Sequence, residues 1–224
     1  MIAIIGAMEV EVQNLLSQAQ AVENVTIHGH VFYKAVLCNH QVVITQLGIG
    51  KVNASINLTL MLSHFDIHYI INTGIAGGLK PLQINDVIVS DRIYYYDVDI
   101  QFFGYQYGQV AGEPEYYQSS LELKQLVRES TIDCKIAHVC SGDKFVTSVD
   151  LLNDILKVNS DISVADMESA ALAHVAHRFA VPFLVIRTIS DIINDNNQLE
   201  KYNEEESALK AQTVLLDVLA HIQE

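Results

Sequence analysis

Between residues 164 and 191 the apolar and polar positions predict strand end, helix and strand in succession. Val164-Ala165 close a short apolar segment. Asp166-Met167-Glu168-Ser169 then open a helix carrying Ala170, Ala171, Leu172, Val175, Ala176 and Phe179. Residues 182–186 are apolar throughout, the pattern of a strand buried on both faces, and they lead into Arg187-Thr188-Ile189-Ser190-Asp191. Both junctions carry an acid.

The rest of the chain follows the same alternation. Residues 1–5 read as a buried strand, and Gly6-Ala7-Met8 turns it into a helix with Val12, Leu15, Leu16 and Ala19 on one face. Residues 31–37 and 41–47 read as an antiparallel hairpin around Asn39-His40. Gly48-Ile49-Gly50-Lys51 opens a helix with apolar positions Val52, Ile56, Leu60 and Leu62. Residues 69–72 form a strand, followed by the exit segment Thr73-Gly74-Ile75-Ala76-Gly77-Gly78, which either lines a pocket with backbone or simply turns tightly. Residues 87–90 are a further strand. The aromatic stretch 94–117 reads as a long loop, of the kind that forms a pocket wall or a subunit contact. A helix over 120–129, a strand over 135–140 and an exit loop Ser141-Gly142-Asp143-Lys144-Phe145 come next. After the polar residues 194–200, a last helix turns Ala208, Ala211, Leu215, Val218 and Ile222 inward. With no internal repeat, linker or low-complexity tract, residues 1–224 read as a single α/β domain.

Composition narrows the possible partners. Half of the 224 residues are hydrophobic and the mean hydropathy is +0.22, which fits a large sheet buried on both faces or a buried subunit interface. A chain of this length buries roughly 70% of its unfolded surface. The 27 acids against 13 Lys plus Arg give a net charge of −14, which opposes nucleic acid and anionic membranes as partners. Three cysteines with no C-x-x-C pair argue against a disulfide framework and for a reducing cytoplasm. No signal peptide is expected at the start, and no apolar run approaches the ~20 residues that span a bilayer.

The candidate chemistry lies with the acids. Open α/β sheets bind ligands outside the carboxyl ends of their strands, where Glu168, Asp191, Glu9 and Glu11 all fall. Any one of them also reads as a helix cap or a partner of the helix dipole. Several at one edge point to acid–base work on a small molecule. The Gly48-to-Lys51 turn is no phosphate loop: the six-residue glycine spacing is missing and Val52 replaces the required Ser or Thr. The close histidine pairs, His28/His30 and His174/His177, lack a third ligand and read as surface or helix-face residues, so no metal is expected. There is no G-x-S-x-G elbow.

Seven fragments in order carry a resemblance that spans nearly the whole chain. They are Gly6-Ala7-Met8-Glu9-x-Glu11-Val12, Gly48-Ile49-Gly50-Lys51-Val52, Ile71-Asn72-Thr73-Gly74, Phe103-Gly104-Tyr105-x-Tyr107-Gly108-Gln109, Ser141-Gly142-Asp143, Met167-Glu168 and Ile189-Ser190-Asp191. Together they resemble the bacterial 5′-methylthioadenosine/S-adenosylhomocysteine nucleosidases of the purine nucleoside phosphorylase superfamily. The resemblance implies a three-layer α/β fold with a twisted mixed central sheet flanked by helices, a homodimer, and hydrolysis of the adenine–ribose bond without metal or cofactor. It implies that Asp191 protonates the base and Glu11 deprotonates the attacking water. Glu168 would bind ribose hydroxyls, with Met167 against the sugar. Phe145 would stack on the base, Val146 would read its edge, and Met8, Ile49 and Tyr202 would line the 5′-thioalkyl pocket. Phe103 would reach that pocket from the partner subunit. Ala76, Gly77, Asp166 and Ser190 complete the substrate-binding set.

The chain differs from the family pattern at Ile75 (usually Ser), Asp166 (Glu), Tyr96 (His) and Leu47 (Ser). The missing hydroxyl at position 75 is expected to cost Asp191 a hydrogen bond. Two other functions compete. A phosphorylase would have to hold a phosphate dianion beside Glu11, which repels it. A non-catalytic nucleoside sensor would need the pocket but neither Asp191 nor Glu11.

Overall fold

The computed structural model describes residues 1–79, 81–129, 132–193, 199–201 and 204–222. Strand β1 (Ile2–Gly6) is buried along its whole length because it is covered on both faces. Ala3 and Ile5 face one apolar cluster, built from α2 (Lys51–His64) and α5 (Ser169–Phe179). Ile2 and Ile4 face a second, built from α1 (Gln13–Gln18), α3 (Leu121–Glu129) and α6 (Glu204–His221). Helices on both sides of a mixed sheet give the three layers expected. A smaller cluster joins Tyr94, Tyr96 and Cys140 to Ile155 of α4 (Val149–Val158), a helix the sequence reading did not place.

The sheet goes further than the expectation, because part of it closes. The remaining strands are β2 (Gln20–Ile27), β3 (His30–Leu37), β4 (His40–Gln46), β5 (Tyr69–Gly78), β6 (Val87–Tyr95), β7 (Tyr117–Gln118), β8 (Lys135–Ser141), β9 (Ile162–Asp166), β10 (Phe183–Ile193) and β11 (Leu199–Lys201). Strand β10 pairs with β5 in parallel and with β6 antiparallel; β6 pairs with β8, β8 with β9, and β9 returns to β5. These five strands form a ring. Beyond β5 the sheet continues as an open arm, β1, β4, β3, β2.

Several expectations need correcting. The glycine-rich segment 73–78 is strand, not exit loop: β5 runs on through Gly78 and is sandwiched between β9 and β10. Glycine is required there by close approach, since a Cβ on Gly74 would collide with the Arg187 and Glu11 side chains. The hairpin turn is Cys38-Asn39, not Asn39-His40, and both residues take positive φ (49° and 66°), the geometry that matches strand twist. After β1 the chain first makes a 3-10 turn, Glu9–Glu11, so α1 starts at Gln13 and ends before Ala19. Helix α2 buries Ala54, Leu58 and Met61, while Val52 and Ile56 are 67% and 45% exposed. The stretch 94–117 is only partly loop: Tyr94 and Tyr95 end β6, Tyr117 starts β7, and all three are buried with Tyr96. Among the described residues no helix is long and apolar enough to cross a membrane.

Candidate active site

An arginine on β10 organises the acids gathered at the ring. Arg187 on β10 is fully buried, and a buried guanidinium is costly unless its donors and charge are met. Its Nε and Nη2 donate to Asp166 Oδ2 at 3.2 and 2.9 Å, and Nη1 donates to the Thr73 carbonyl at 3.1 Å. Glu11 Oε1 and Glu168 Oε2 approach it at 3.7 and 3.8 Å. Three buried carboxylates thus surround one buried cation.

The three acids are held differently. Asp166 is saturated: Oδ1 accepts from Ser141 Oγ at 2.5 Å and from the Glu168 and Ser169 N–H groups at 3.2 and 3.1 Å, while Oδ2 takes Arg187 and the Ser169 hydroxyl. It is therefore Asp166 that caps α5. Glu168, the N-cap residue by position, makes no side-chain cap bond. Its Oε1 accepts from Gly50 N–H at 2.8 Å. Burial, then the charge of Asp166, pushes its carboxyl up to about 7 against the pull of Arg187 and Gly50 N–H. Glu11 is carried back over the strand ends by the 3-10 turn. Its Oε2 accepts from Ala7 and Met8 N–H at 2.6 and 3.0 Å, and Oε1 from Ile75 N–H at 2.9 Å. Burial outweighs Arg187 and these three donors and holds Glu11 above the ordinary carboxylate range.

Asp191 comes from β10 opposite Gly77, where the pairing with β5 shifts register between Ile189 and Asp191. Such a bulge re-aims the side chain that follows it. Asp191 is buried, and the Ser190 hydroxyl donates to its Oδ1 at 2.8 Å. A hydroxyl thus reaches Asp191 from its chain neighbour, while position 75 serves Glu11 through its backbone N–H.

Glu11, Glu168 and Asp191 line one cavity of about 250 Å³. Met8, Ile49, Phe145, Val146 and Met167 add apolar surface, and Ala76, Gly77, Asp166 and Ser190 complete the anticipated lining. Ile49 and Phe145 are about half exposed, apolar side chains left open at the cavity. Phe103 is not among this chain's lining residues; it is 73% exposed and packs edge-on against Phe102. Tyr202 lies outside the described residues. The sequence reading missed Ala7, Lys144, Ala165 and Glu204, which also line the cavity, and it gave Arg187 no role. The available signal was an arginine directly after a strand apolar enough to be buried on both faces.

Two of the basic residues at or beside this site, Arg187 and Lys51, are already occupied. Arg187 has its carboxylates, and Lys51 Nζ lies 2.7 and 2.6 Å from the two oxygens of Asp97. The first amides of α2 are occupied as well, Gly50 N–H by Glu168 and Lys51 N–H by Asp143 at 2.9 Å. The helix N-terminus that would attract an anion is thus filled by the protein's own acids. His174, from the second histidine pair, contacts Glu113 at 3.3 Å and the Tyr95 hydroxyl at 3.2 Å. Among the described residues no group of three or more His, Cys, Asp or Glu side chains is placed to hold a metal ion.

The sequence profile of the Phosphorylase superfamily matches residues 1–220. A 5′-methylthioadenosine/S-adenosylhomocysteine nucleosidase of Staphylococcus aureus (strain MRSA252) is 39% identical over 221 residues, covering 96% of this chain and 97% of that protein. Among solved structures, the S. pneumoniae nucleosidase of the same name, with the transition-state inhibitor MT-ImmA, matches with a TM-score of 0.91 at 30% identity over 99% of both chains. Native futalosine hydrolase of Helicobacter pylori strain 26695 also matches, with a TM-score of 0.91 at 28% identity, over 99% of this chain and 97% of that one. With sequence and structural matches that run almost end to end, the chain belongs to the 5′-methylthioadenosine/S-adenosylhomocysteine nucleosidase family of the phosphorylase superfamily.

Proposed function

We propose that the chain hydrolyses the N-glycosidic bond of 5′-methylthioadenosine and S-adenosylhomocysteine, releasing adenine and the corresponding 5-thioribose. Asp191 donates a proton to N7 of the base as the C1′–N9 bond breaks. Glu11 takes a proton from the water whose oxygen joins C1′. Charge builds on the ribose ring in such a cleavage, so an acid on the leaving side and a base on the water side are what the chemistry needs. A base held above the ordinary carboxylate range accepts that proton more readily, and burial supplies the shift at Glu11. Glu168 Oε2 takes the ribose hydroxyls, Met167 packs on the sugar, Phe145 stacks on the base and Val146 reads its edge. Met8 and Ile49, with Tyr202, take the 5′-thioalkyl group.

The choice of water over phosphate rests on one observation: Arg187, Lys51 and the first α2 amides are already paired with carboxylates of the protein. A dianion would have to displace them and lie beside Glu11, whereas water needs no charged clamp. Lys144 at the cavity is a single exposed lysine, and its carbonyl accepts the Tyr96 hydroxyl. Adenine release from methylthioadenosine, followed with and without phosphate, tests this. Phosphate-independent release giving free 5-methylthioribose is expected. Strict phosphate dependence with a 1-phosphate product would overturn it, and nucleoside binding without any release would leave a sensor.

The same reading makes the chain one nucleosidase domain that works as a cytoplasmic homodimer. Support for the dimer comes from the exposed apolar side chains of Val52, Ile56, Phe102 and Phe103, which a second copy would cover. Support for a reducing compartment comes from three free cysteines. A monomer mass in solution would remove the dimer.

A further inference from the structure

Beside the cavity a single lysine ties together three segments that are distant in the sequence. Lys51 opens α2, Asp97 lies just beyond β6, and Asp143 lies in the loop after β8. Besides gripping both Asp97 oxygens, Lys51 Nζ is 3.7 Å from Asp143 Oδ2 and 5.5 Å from the centroid of the Tyr95 ring. The backbone repeats the pattern, with Lys51 N–H donating to Asp143 Oδ1 and Asp143 N–H donating to Asp97 Oδ2, both at 2.9 Å. The Lys51 and Asp97 side chains are only 21% and 13% exposed, which separates this pair from a screened surface bridge.

Each end of the knot adjoins an element of the cavity. On one side is Gly50, whose N–H meets Glu168 Oε1. Gly50 holds φ at 96°, a conformation other residues rarely adopt, and a Cβ there would lie 3.2 Å from Asp143 Oδ1. On the other side Asp143 leads directly into Lys144 and Phe145, and Tyr96, next to Asp97, donates its hydroxyl to the Lys144 carbonyl at 2.5 Å. Lys51, Asp97 and Asp143 do not themselves line the cavity. Whatever they contribute passes through Glu168 and the Phe145 loop.

We propose that Lys51, Asp97 and Asp143 form a positioning device that sets Gly50 N–H against Glu168 and, through the same contacts, sets the loop carrying Phe145. The proposal rests on the nucleosidase reading above. Four groups face Glu168: Asp166 from the end of β9, Glu11 from the 3-10 turn, Arg187 from β10, and Gly50 N–H from the start of α2. The last is the one the knot controls. It favours the ionised carboxylate, so misplacing it makes Glu168 hold its proton to higher pH.

The test uses Lys51→Met and Asp97→Asn in the full chain, each alone and with Glu168→Gln. Turnover of methylthioadenosine is followed from pH 5 to 9, adenine affinity by calorimetry and folding by circular dichroism. Each single variant is expected to lose about 10- to 100-fold in kcat/KM, as small misplacements near reacting groups do. The acidic limb of its pH profile should move upward and adenine should bind several-fold more weakly. In the Glu168→Gln background the shift of the limb should vanish while the loss of adenine affinity persists, because only the first effect passes through Glu168. Lost activity with an unmoved limb and unchanged adenine affinity would reduce the knot to general stability and overturn the proposal, as would variants that match the wild type. Should Asp97→Asn fail to fold, Asp143→Asn reads out the same arms more mildly, since Asp143 is half exposed. A wild type that releases no adenine would defeat the nucleosidase reading, a different result from active wild type with unaffected variants.

Discussion

The closed ring and the open arm of the sheet each hold a cation against a carboxylate, with opposite consequences. In the arm, Lys34 on β3 meets Glu23 on β2 at 3.4 Å, with the side chains 39% and 67% exposed. In the ring, Arg187 meets Asp166 at 2.9 Å with both side chains buried. The partners are chemically similar, so surroundings decide the outcome. Water around β2 screens the first pair until it contributes little. Strand closure removes water from the second, and every further acid brought to Arg187 then feels burial before it feels the arginine. Glu11 and Glu168, brought to the ring in this way, hold their protons unusually well.

The largest effect that would test this contrast is on chemistry. Asp191→Asn keeps the shape and the Ser190 contact but removes the proton, so kcat should fall on the order of 10²–10⁴ with the fold intact. Turnover near wild type would take the general acid away from the ring. The next effect is on stability and should depend on pH. Glu168 titrates at about 7 in the folded chain, above its ordinary value of 4.5. The fold therefore favours its protonated form, and the stability lost by ionising it accrues as pH rises from the ordinary value through about 7. Glu168→Gln should be the more stable protein at pH 8, by up to about 3 kcal/mol, with the advantage gone near pH 4. Urea melts at the two pH values measure this, and a glutamine variant weaker at pH 8 would refute it. The smallest effect belongs to the arm. Lys34→Met should change stability by less than about 1 kcal/mol at any pH, and a larger loss would mean that the arm, too, shelters its charges.

The same contrast separates what the sequence reveals from what it conceals. Strands β1 and β10 and helices α5 and α6 are legible because burial imposes apolar runs or a helical period on them. Strand β2 is not: it is an exposed edge, Val22 is 45% open, and a register shift between Gln20 and Glu23 interrupts its pattern. The end of β5 is disguised for the opposite reason. Glycines that elsewhere signal a turn occur there inside a strand, since Arg187 and Glu11 leave no room for a side chain at Gly74. The acids were legible as a set at one edge of the sheet. Their division of labour was not, because Asp166 caps α5 and so releases Glu168, a consequence of hydrogen bonds that spacing alone does not encode.

Ring closure also sets an order on assembly. Strands β5 and β6 are made early, yet in the ring they are joined through β10, which begins at Phe183. Until that strand emerges during synthesis, two strand edges stand open and Arg187 is absent from the cluster it neutralises. Non-local pairing of this kind is slow, and open edges invite wrong partners. The segment that supplies Asp191 is therefore also the latch of the fold. A chain that stops short of β10 lacks both Arg187 and Asp191, and its vulnerable period lasts until β10 docks.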